Sequence, residues 1–237
     1  MCYNAKFNKG GNIKLGAIWS WSKLYGDGIY EYKGEKIQGT CSGYCSGCSG
    51  SCYVRKSYRY PSVILSHARN TKAFRDNLLS AFSDLDNQII RAKNKPLAIR
   101  INQSGEIETA EEFCSWVCLA SAHPDIDFYV YSKNFDVIVP WIEKLENAGE
   151  MPDNFVVLVS VWHEYGISEY NRLKRFDCVK AFVYYDGFDY SKFGLVPSTW
   201  CYAYDENGKM DHNITCQKCR KCFKRWKNAK VIFCNDH

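Results

Sequence analysis

Phe155-Val-Val-Leu-Val-Ser-Val-Trp162 is apolar at nearly every position, so neither face of this segment can lie against water. A strand buried on both faces belongs to a parallel sheet, where helical crossovers cover the strands. Downstream, Val179-Lys-Ala-Phe-Val-Tyr-Tyr185 has the same character, and residues 168–175 between the two predict a helix. Upstream, Asp127-Phe-Tyr-Val-Tyr131 and Pro96-Leu-Ala-Ile-Arg-Ile101 predict strands. Residues 135–148 predict a helix stopped by Gly149, and residues 109–122 another, whose Thr109 and Glu112 have the spacing of a capping box. Thr199-Trp-Cys-Tyr-Ala-Tyr204 closes the series as a last strand. Repeated βα units of this kind predict an α/β fold, a partial (βα) barrel of about five or six parallel strands.

Functional groups in such folds gather at the carboxyl ends of the strands. Residues 102–106, 132–134, 163–165 and 186–187 occupy those ends and are expected to line one mouth. Before the first of these strands, apolar residues at helical intervals across 61–69 and 71–93 predict two helices, and residues 25–34 a short hairpin.

The chemistry is announced by cysteine. Cys41-Ser-Gly-Tyr-Cys45-Ser-Gly-Cys48-Ser-Gly-Ser-Cys52 packs four thiols among Gly and Ser, a loop pliable enough to turn them toward one centre. Cys216-Gln-Lys-Cys219-Arg-Lys-Cys222 repeats the idea with the two-residue spacers of ferredoxin-type iron–sulfur ligation. That second run needs a fourth thiolate, for which Cys201, Cys234 and Cys52 are candidates, Cys201 foremost. Zinc is the competing reading, but three cysteines at successive two-residue spacers suit a cubane better than the paired ligands of a zinc knuckle. Cys114, Cys118 and Cys178 sit among apolar residues and read as small core residues.

The chain has 237 residues, 13 of them cysteine, and a net charge of +5. Residues 1–6 hold no apolar signal segment and no membrane-length apolar run occurs, so a cytoplasmic protein with no membrane partner is expected. A reducing cytosol disfavours structural disulfides, which again points the cysteines to metal. Residues 218–230 carry seven Lys and Arg and no acid, interleaved with Phe223 and Trp226. This suits a nucleic acid, or equally a face that offsets the negative charge of thiolate-bound metal. His163, beside Glu164 at a strand end, is a weaker site candidate.

The spacing Cys41-x3-Cys45-x2-Cys48 resembles that of the radical S-adenosylmethionine enzymes. In those enzymes three cysteines hold a [4Fe–4S] cluster whose open iron binds S-adenosylmethionine, which an electron then cleaves to a 5′-deoxyadenosyl radical. Their fold is a partial βα barrel with the cluster loop after the first strand and a Gly-Gly-Glu type motif after the second. The resemblance assigns Ser104-Gly105-Glu106, after the strand ending at Ile101, to the methionine amino group of the cofactor. Two departures stand: Gly47 replaces the aromatic residue usual before the third cysteine, and Cys52 is an extra thiolate able to close the open iron.

A second resemblance spans about residues 40–222. Cys52-Tyr53, Arg59-Tyr-Pro-Ser-Val63, Arg100-Ile-Asn-Gln-Ser-Gly-Glu106, Phe128-Tyr-Val-Tyr-Ser-Lys133 and the late cysteine run are similar to the phage gene product 88 family, found in bacteriophages and mobile elements and itself similar to the radical S-adenosylmethionine fold. It implies a host bacterial cytoplasm and one or two [4Fe–4S] clusters, held by Cys41, Cys45, Cys48 and Cys52 and by Cys201, Cys216, Cys219 and Cys222. An electron donor such as a ferredoxin or flavodoxin would follow if S-adenosylmethionine is cleaved. The alternative is a non-catalytic iron–sulfur protein serving electron transfer, redox sensing or nucleic-acid binding. The implied organisation is an extension (1–40), a barrel with its cysteine loop (41–200) and a basic cysteine-rich segment (201–237).

Overall fold

The structure, a computed structural model, describes residues 4–10, 13–41, 46–202 and 213–235. A short strand β1 (Trp19–Ser20) leads into a hairpin, β2 (Ile29–Tyr32) and β3 (Glu35–Gln38), closed by Lys33 and Gly34, both at positive φ. Consecutive positive φ values at a two-residue turn match the right-handed twist of the strands it joins. The first cysteine loop enters two short helices, α1 (Ser46–Ser51) and α2 (Val54–Ser57), before α3 (Pro61–Asp76) and α4 (Leu78–Ile90). These last two divide at Asn77, whose extended backbone ends α3 and whose side chain accepts from Ser80 N–H to cap α4. The sequence places that break near residue 70, but Asn70 continues the helix, and its amide donates to the Lys6 and Ser22 carbonyls.

Three βα units and a fourth strand follow with the boundaries the periodicity predicts, to within a few residues. They are β4 (Ala98–Ile101), α5 (Ala110–Ala122), β5 (Asp127–Ser132), α6 (Phe135–Ala148), β6 (Phe155–Trp162), α7 (Ile167–Leu173) and β7 (Val179–Tyr185). Thr109 Oγ1 accepts from Glu112 N–H at the start of α5, and Gly149 at φ 69° ends α6. The chain closes with β8 (Thr199–Trp200), the one-turn helix α8 (Cys216–Cys219) and β9 (Val231–Asn235). Tyr204, the expected end of the eighth strand, lies outside the described residues.

The main sheet has seven strands in the order β1-β4-β5-β6-β7-β9-β8, every pair parallel. It exceeds the expected five or six because residues 1–40 contribute β1 and residues 201–237 contribute β9. β1 is too short to reveal itself in sequence, whereas β9 has an apolar run, Val231-Ile-Phe-Cys234, that lies beyond the repeating βα pattern. β1 and β8 are the edges of the sheet, which is open.

Alternation along the strands divides the sheet into two faces. Ile99, Phe128, Val130, Val157, Val159, Ala181 and Val183 point to one side, where α3 to α7 cover them with Phe74, Phe82, Trp116, Ile138 and Leu173. Trp21 stacks on Phe74 with ring centroids 4.5 Å apart, and Trp116 meets both Trp21 and Phe82 edge-on. On the other face Ala98, Tyr129, Val156, Leu158 and Ile232 are covered by Leu15, Ile18 and Phe223, residues from the two flanking segments. Among the described residues no helix is long and apolar enough to cross a membrane.

Candidate metal and ligand cavity

The second face of the sheet changes character along its strands. Near the amino ends it is mostly apolar, with two buried charges that have partners, Lys180 donating to the Lys221 carbonyl and Asp127 paired with Lys224. Toward the carboxyl ends it presents Arg100, Tyr131, Ser160, Trp162, Phe182, Tyr184 and Cys234 to a cavity of about 270 Å³. Cys41, Cys48 and Cys52 line this cavity from one side, and Cys201, Cys216, Cys222 and Cys234 from the other. The two cysteine runs, far apart in sequence, therefore share one space. Cys45 lies outside the described residues.

The turn after β4 forms another part of the wall. Ser104 Oγ donates to the Lys23 carbonyl at 2.9 Å, and Lys23 N–H donates to the Ser104 carbonyl at 2.9 Å. Gly105 has φ 84°, and a Cβ there would sit 2.5 Å from Thr40 Oγ1 and 2.9 Å from Lys23 Cβ, so only glycine fits. Glu106 is buried; its carboxylate accepts from Ser132 Oγ at 2.8 Å and from Lys133 N–H at 3.1 Å, with Lys133 Nζ 3.8 Å away. Burial raises its pKa, against the pull of Lys133 and Ser132. Behind the turn, Lys23 is fully buried between Glu112 at 2.7 Å and Glu108 at 3.3 Å, and Glu108 also pairs with Arg75. Such a closed ionic group fixes the turn, because removal of either sign would leave a buried charge unpaired.

Two residues of this wall carry the clearest ligand signal, Asn102 from the segment 102–106 expected at the mouth and Arg100 two positions before it. Asn102, at φ 50° just past β4, is 4% exposed, and neither its amide nitrogen nor its oxygen has a hydrogen-bond partner among the described residues. The Arg100 Nε–H is likewise buried without a partner, although Arg100 Nη2 donates to the Tyr53 hydroxyl at 3.2 Å and the guanidinium packs 4.6 Å from the Tyr131 ring centroid. A buried polar atom left unpaired costs roughly 1–3 kcal/mol, so such groups call for a partner from outside the chain. The signal available in sequence is parity: Arg100 and Tyr131 follow Ala98 and Tyr129 by two on the same face.

Burial favours the neutral thiol at Cys41, Cys216 and Cys222, and contact with the Cys201 thiol, then burial, does so at Cys234. Burial, then the nearby Glu106 carboxylate, pushes Cys41 up to about 12, and burial with the neighbouring Cys201 and Cys216 pushes Cys222 up to about 12. A bound metal would reverse this, since thiolate ligation releases the proton. Among the described residues no three His, Cys, Asp or Glu side chains converge as a single-ion site requires. The thiols are instead distributed around the cavity wall, a donor set suited to a polynuclear core in which each thiolate serves its own iron.

Other candidates lie elsewhere. Cys219 does not line the cavity, whereas Cys234 does. His163 pairs with Asp186 at 2.8 Å in a half-exposed position outside the cavity, so the carboxyl ends of β6 and β7 do not bring 163–165 and 186–187 into the same mouth as 102–106. Cys178 is buried as expected, but Cys118 is exposed on α5. Much of the basic stretch is turned to internal partners: Lys224 pairs with Asp127 at 2.7 Å, Arg225 donates to the Pro152 carbonyl at 2.6 Å, and Lys230 donates to the Phe176 carbonyl at 2.7 Å.

Residues 4–228 match the family described as gene product 88, nearly the whole chain and including all the cavity residues named above except Cys234. The chain belongs to the gene product 88 family. Comparison with curated proteins and with solved structures returns no match.

Proposed function

We propose that this gene product 88 protein is an iron–sulfur protein of radical S-adenosylmethionine type, with its sheet curled into a partial βα barrel. The observation that carries the reading is the meeting of both cysteine runs with Ser104-Gly105-Glu106 around one cavity. Strand order supports it: the first cysteine loop comes after β1, the first strand of the main sheet, and the Ser-Gly-Glu turn after β4, the second and its neighbour. Helices on one face only, with strands added mainly in sequence order, is the winding by which right-handed crossovers build a barrel wall.

In this reading Cys41, Cys45 and Cys48 hold a [4Fe–4S] cluster that, when bound, supplies an electron to S-adenosylmethionine. Glu106, fixed by Ser132 and Lys133, faces the amino group of that cofactor. Asn102 and Arg100 offer unpaired donors and an acceptor to the polar groups of whatever molecule fills the cavity. Trp162, stacked on Tyr184 at 4.1 Å, lies 3.5 Å from where a Gly47 Cβ would be, so a ring from β6 fills space beside the position where related loops carry their own aromatic residue. The electron donor would be a ferredoxin or flavodoxin of the host cytoplasm.

A second reading rests on Cys52. It lines the same cavity as Cys41 and Cys48, so it is available to close the cluster and leave an electron carrier or redox sensor without an open iron. One experiment separates the two. S-adenosylmethionine added to the anaerobically reduced protein changes its electron paramagnetic resonance signal and yields 5′-deoxyadenosine if the iron is open. An intact cluster with neither response, both in the native chain and in Cys52→Ala, leaves the non-catalytic reading.

A further inference from the structure

Cys216-x2-Cys219-x2-Cys222 invites the assignment of all three thiols to one metal core. The fold keeps them near one another but sets only two of them on the cavity wall. Thr215 caps α8 by accepting from Lys218 N–H, and Arg220, at φ 59°, then turns the chain in a left-handed step that brings Cys222 back to the cavity wall. Cys216 is held there by its N–H, which donates to the Lys14 carbonyl at 2.8 Å. Cys219, between them, does not line the cavity.

Two further thiols reach the same wall from the sheet edge. β8 and β9 run parallel with Thr199 opposite Ile232 and Trp200 opposite Phe233, and Cys201 N–H donates to the Phe233 carbonyl at 2.7 Å. Continuing that register by one residue sets Cys201 beside Cys234, and the two thiols lie within hydrogen-bonding reach. Cys234 is 2% exposed, and it points to the cavity side of β9 while Phe233 points to the helix-covered side. Four thiols from three separate segments thus face one space, the number that closes a cubane.

We infer that the second metal core of this protein is held by Cys201, Cys216, Cys222 and Cys234, with Cys219 outside the ligand set. This rests on the iron–sulfur reading above. It differs from what the cysteine spacing suggests, and it places one ligand beyond residue 228, where the family match ends.

Iron and acid-labile sulfide are measured in anaerobically purified native protein and in Cys234→Ala, Cys219→Ala and Cys178→Ala, each checked for native secondary structure by circular dichroism. Cys178 is the control, a buried thiol away from the cavity. With two four-iron cores in the native chain, Cys234→Ala falls to about half the iron and sulfide while Cys219→Ala and Cys178→Ala keep all of it. Because a serine oxygen can stand in for a thiolate, Cys234→Ser is expected to retain part of the lost iron with an altered paramagnetic signal, which a merely structural role would not produce. Full iron with an unchanged signal in the Cys234 variants overturns the inference, as does loss of a core from Cys219→Ala. Native protein without iron overturns instead the reading on which the inference rests.

Discussion

The two faces of the main sheet are built from the same strands yet follow opposite rules. On the helix-covered face every second residue is apolar along the whole strand, and aromatic side chains such as Trp116 and Phe113 close the space. On the cavity face the apolar pattern holds only near the amino ends and then gives way to Arg100, Asn102, Ser160 and thiols. One face maximises burial, worth roughly 25 cal/mol per Å² of apolar surface. The other gathers unpaired polar atoms at one place, Arg100 Nε and both polar atoms of Asn102, whereas the first leaves isolated indole nitrogens, those of Trp21 and Trp116, among its packed rings. The contrast teaches where this chain puts stability and where it gives stability up for chemistry.

The largest break is expected on the first face. Trp116→Ala removes a fully buried ring in contact with Trp21, Phe74 and Phe82, and should destabilise the chain by about 3–5 kcal/mol in urea unfolding. A loss below about 1 kcal/mol would mean that this face is not the main store of stability.

Next comes an effect of pH away from the cavity. His67 on α3 is buried against the Tyr58 hydroxyl at 3.0 Å, and burial, then Arg69, lowers its pKa from 6.5 to about 4. The folded state therefore favours the neutral ring. Its contribution is complete above pH 6.5 and is lost as pH falls from there toward 4, by roughly 3 kcal/mol at most. Unfolding measured across that range in the native chain and in His67→Gln should show the slope disappear in the variant.

The cavity face gives the finer tests. Gly105→Ala combines a positive φ with a close contact to Thr40, so a cost of about 1–3 kcal/mol is expected, and if the proposed radical-enzyme reading holds, S-adenosylmethionine binding is lost with it in calorimetry. Asn102→Gly should act the other way on stability. It removes two unpaired buried atoms and relieves a positive φ, for a gain of about 1 kcal/mol, while weakening ligand binding. Destabilisation by Asn102→Gly would show that the side chain serves the fold and would erase the contrast between the faces. The smallest effect belongs to Lys224→Ala, whose partly exposed pair with Asp127 should be worth less than about 1 kcal/mol. A large, salt-sensitive loss of nucleic-acid binding in that variant would instead assign the basic stretch to a polyanion.

The helix-covered face was almost fully legible in sequence. Its strands alternate cleanly, its helices carry their own caps at Thr109 and Gly149, and β6 and β7 have the boundaries that their apolar runs predict. Strands β1 and β9 were not, because Trp19–Ser20 and Val231–Asn235 lie outside the repeating βα pattern and pair with neighbours far away in the chain. In the site, the cysteine runs were readable from spacing, the Ser-Gly-Glu turn from a resemblance, and Asn102 from its place at a strand end. Arg100 was not, since a lone Arg within a strand has no pattern until the strand parity tells which side it faces. That Cys234 lines the cavity and Cys219 does not was hidden for a similar reason: spacing along the chain says nothing about which way Arg220 turns the backbone.

The strand order β7-β9-β8 has a bearing on how the molecule comes into being. Among the described residues β8 pairs only with β9, so it cannot dock until the later segment has been synthesised and inserted next to β7. The wall carrying Cys41, Cys48 and Cys52 is made of early segments and can be in place while the chain is still emerging from the ribosome; the wall carrying Cys201 and Cys234 cannot. Assembly of the two thiol sets is thus separated in time. A chain stalled before residue 231 would leave β8 without its strand partner and the cavity open along one side, vulnerable there to proteolysis.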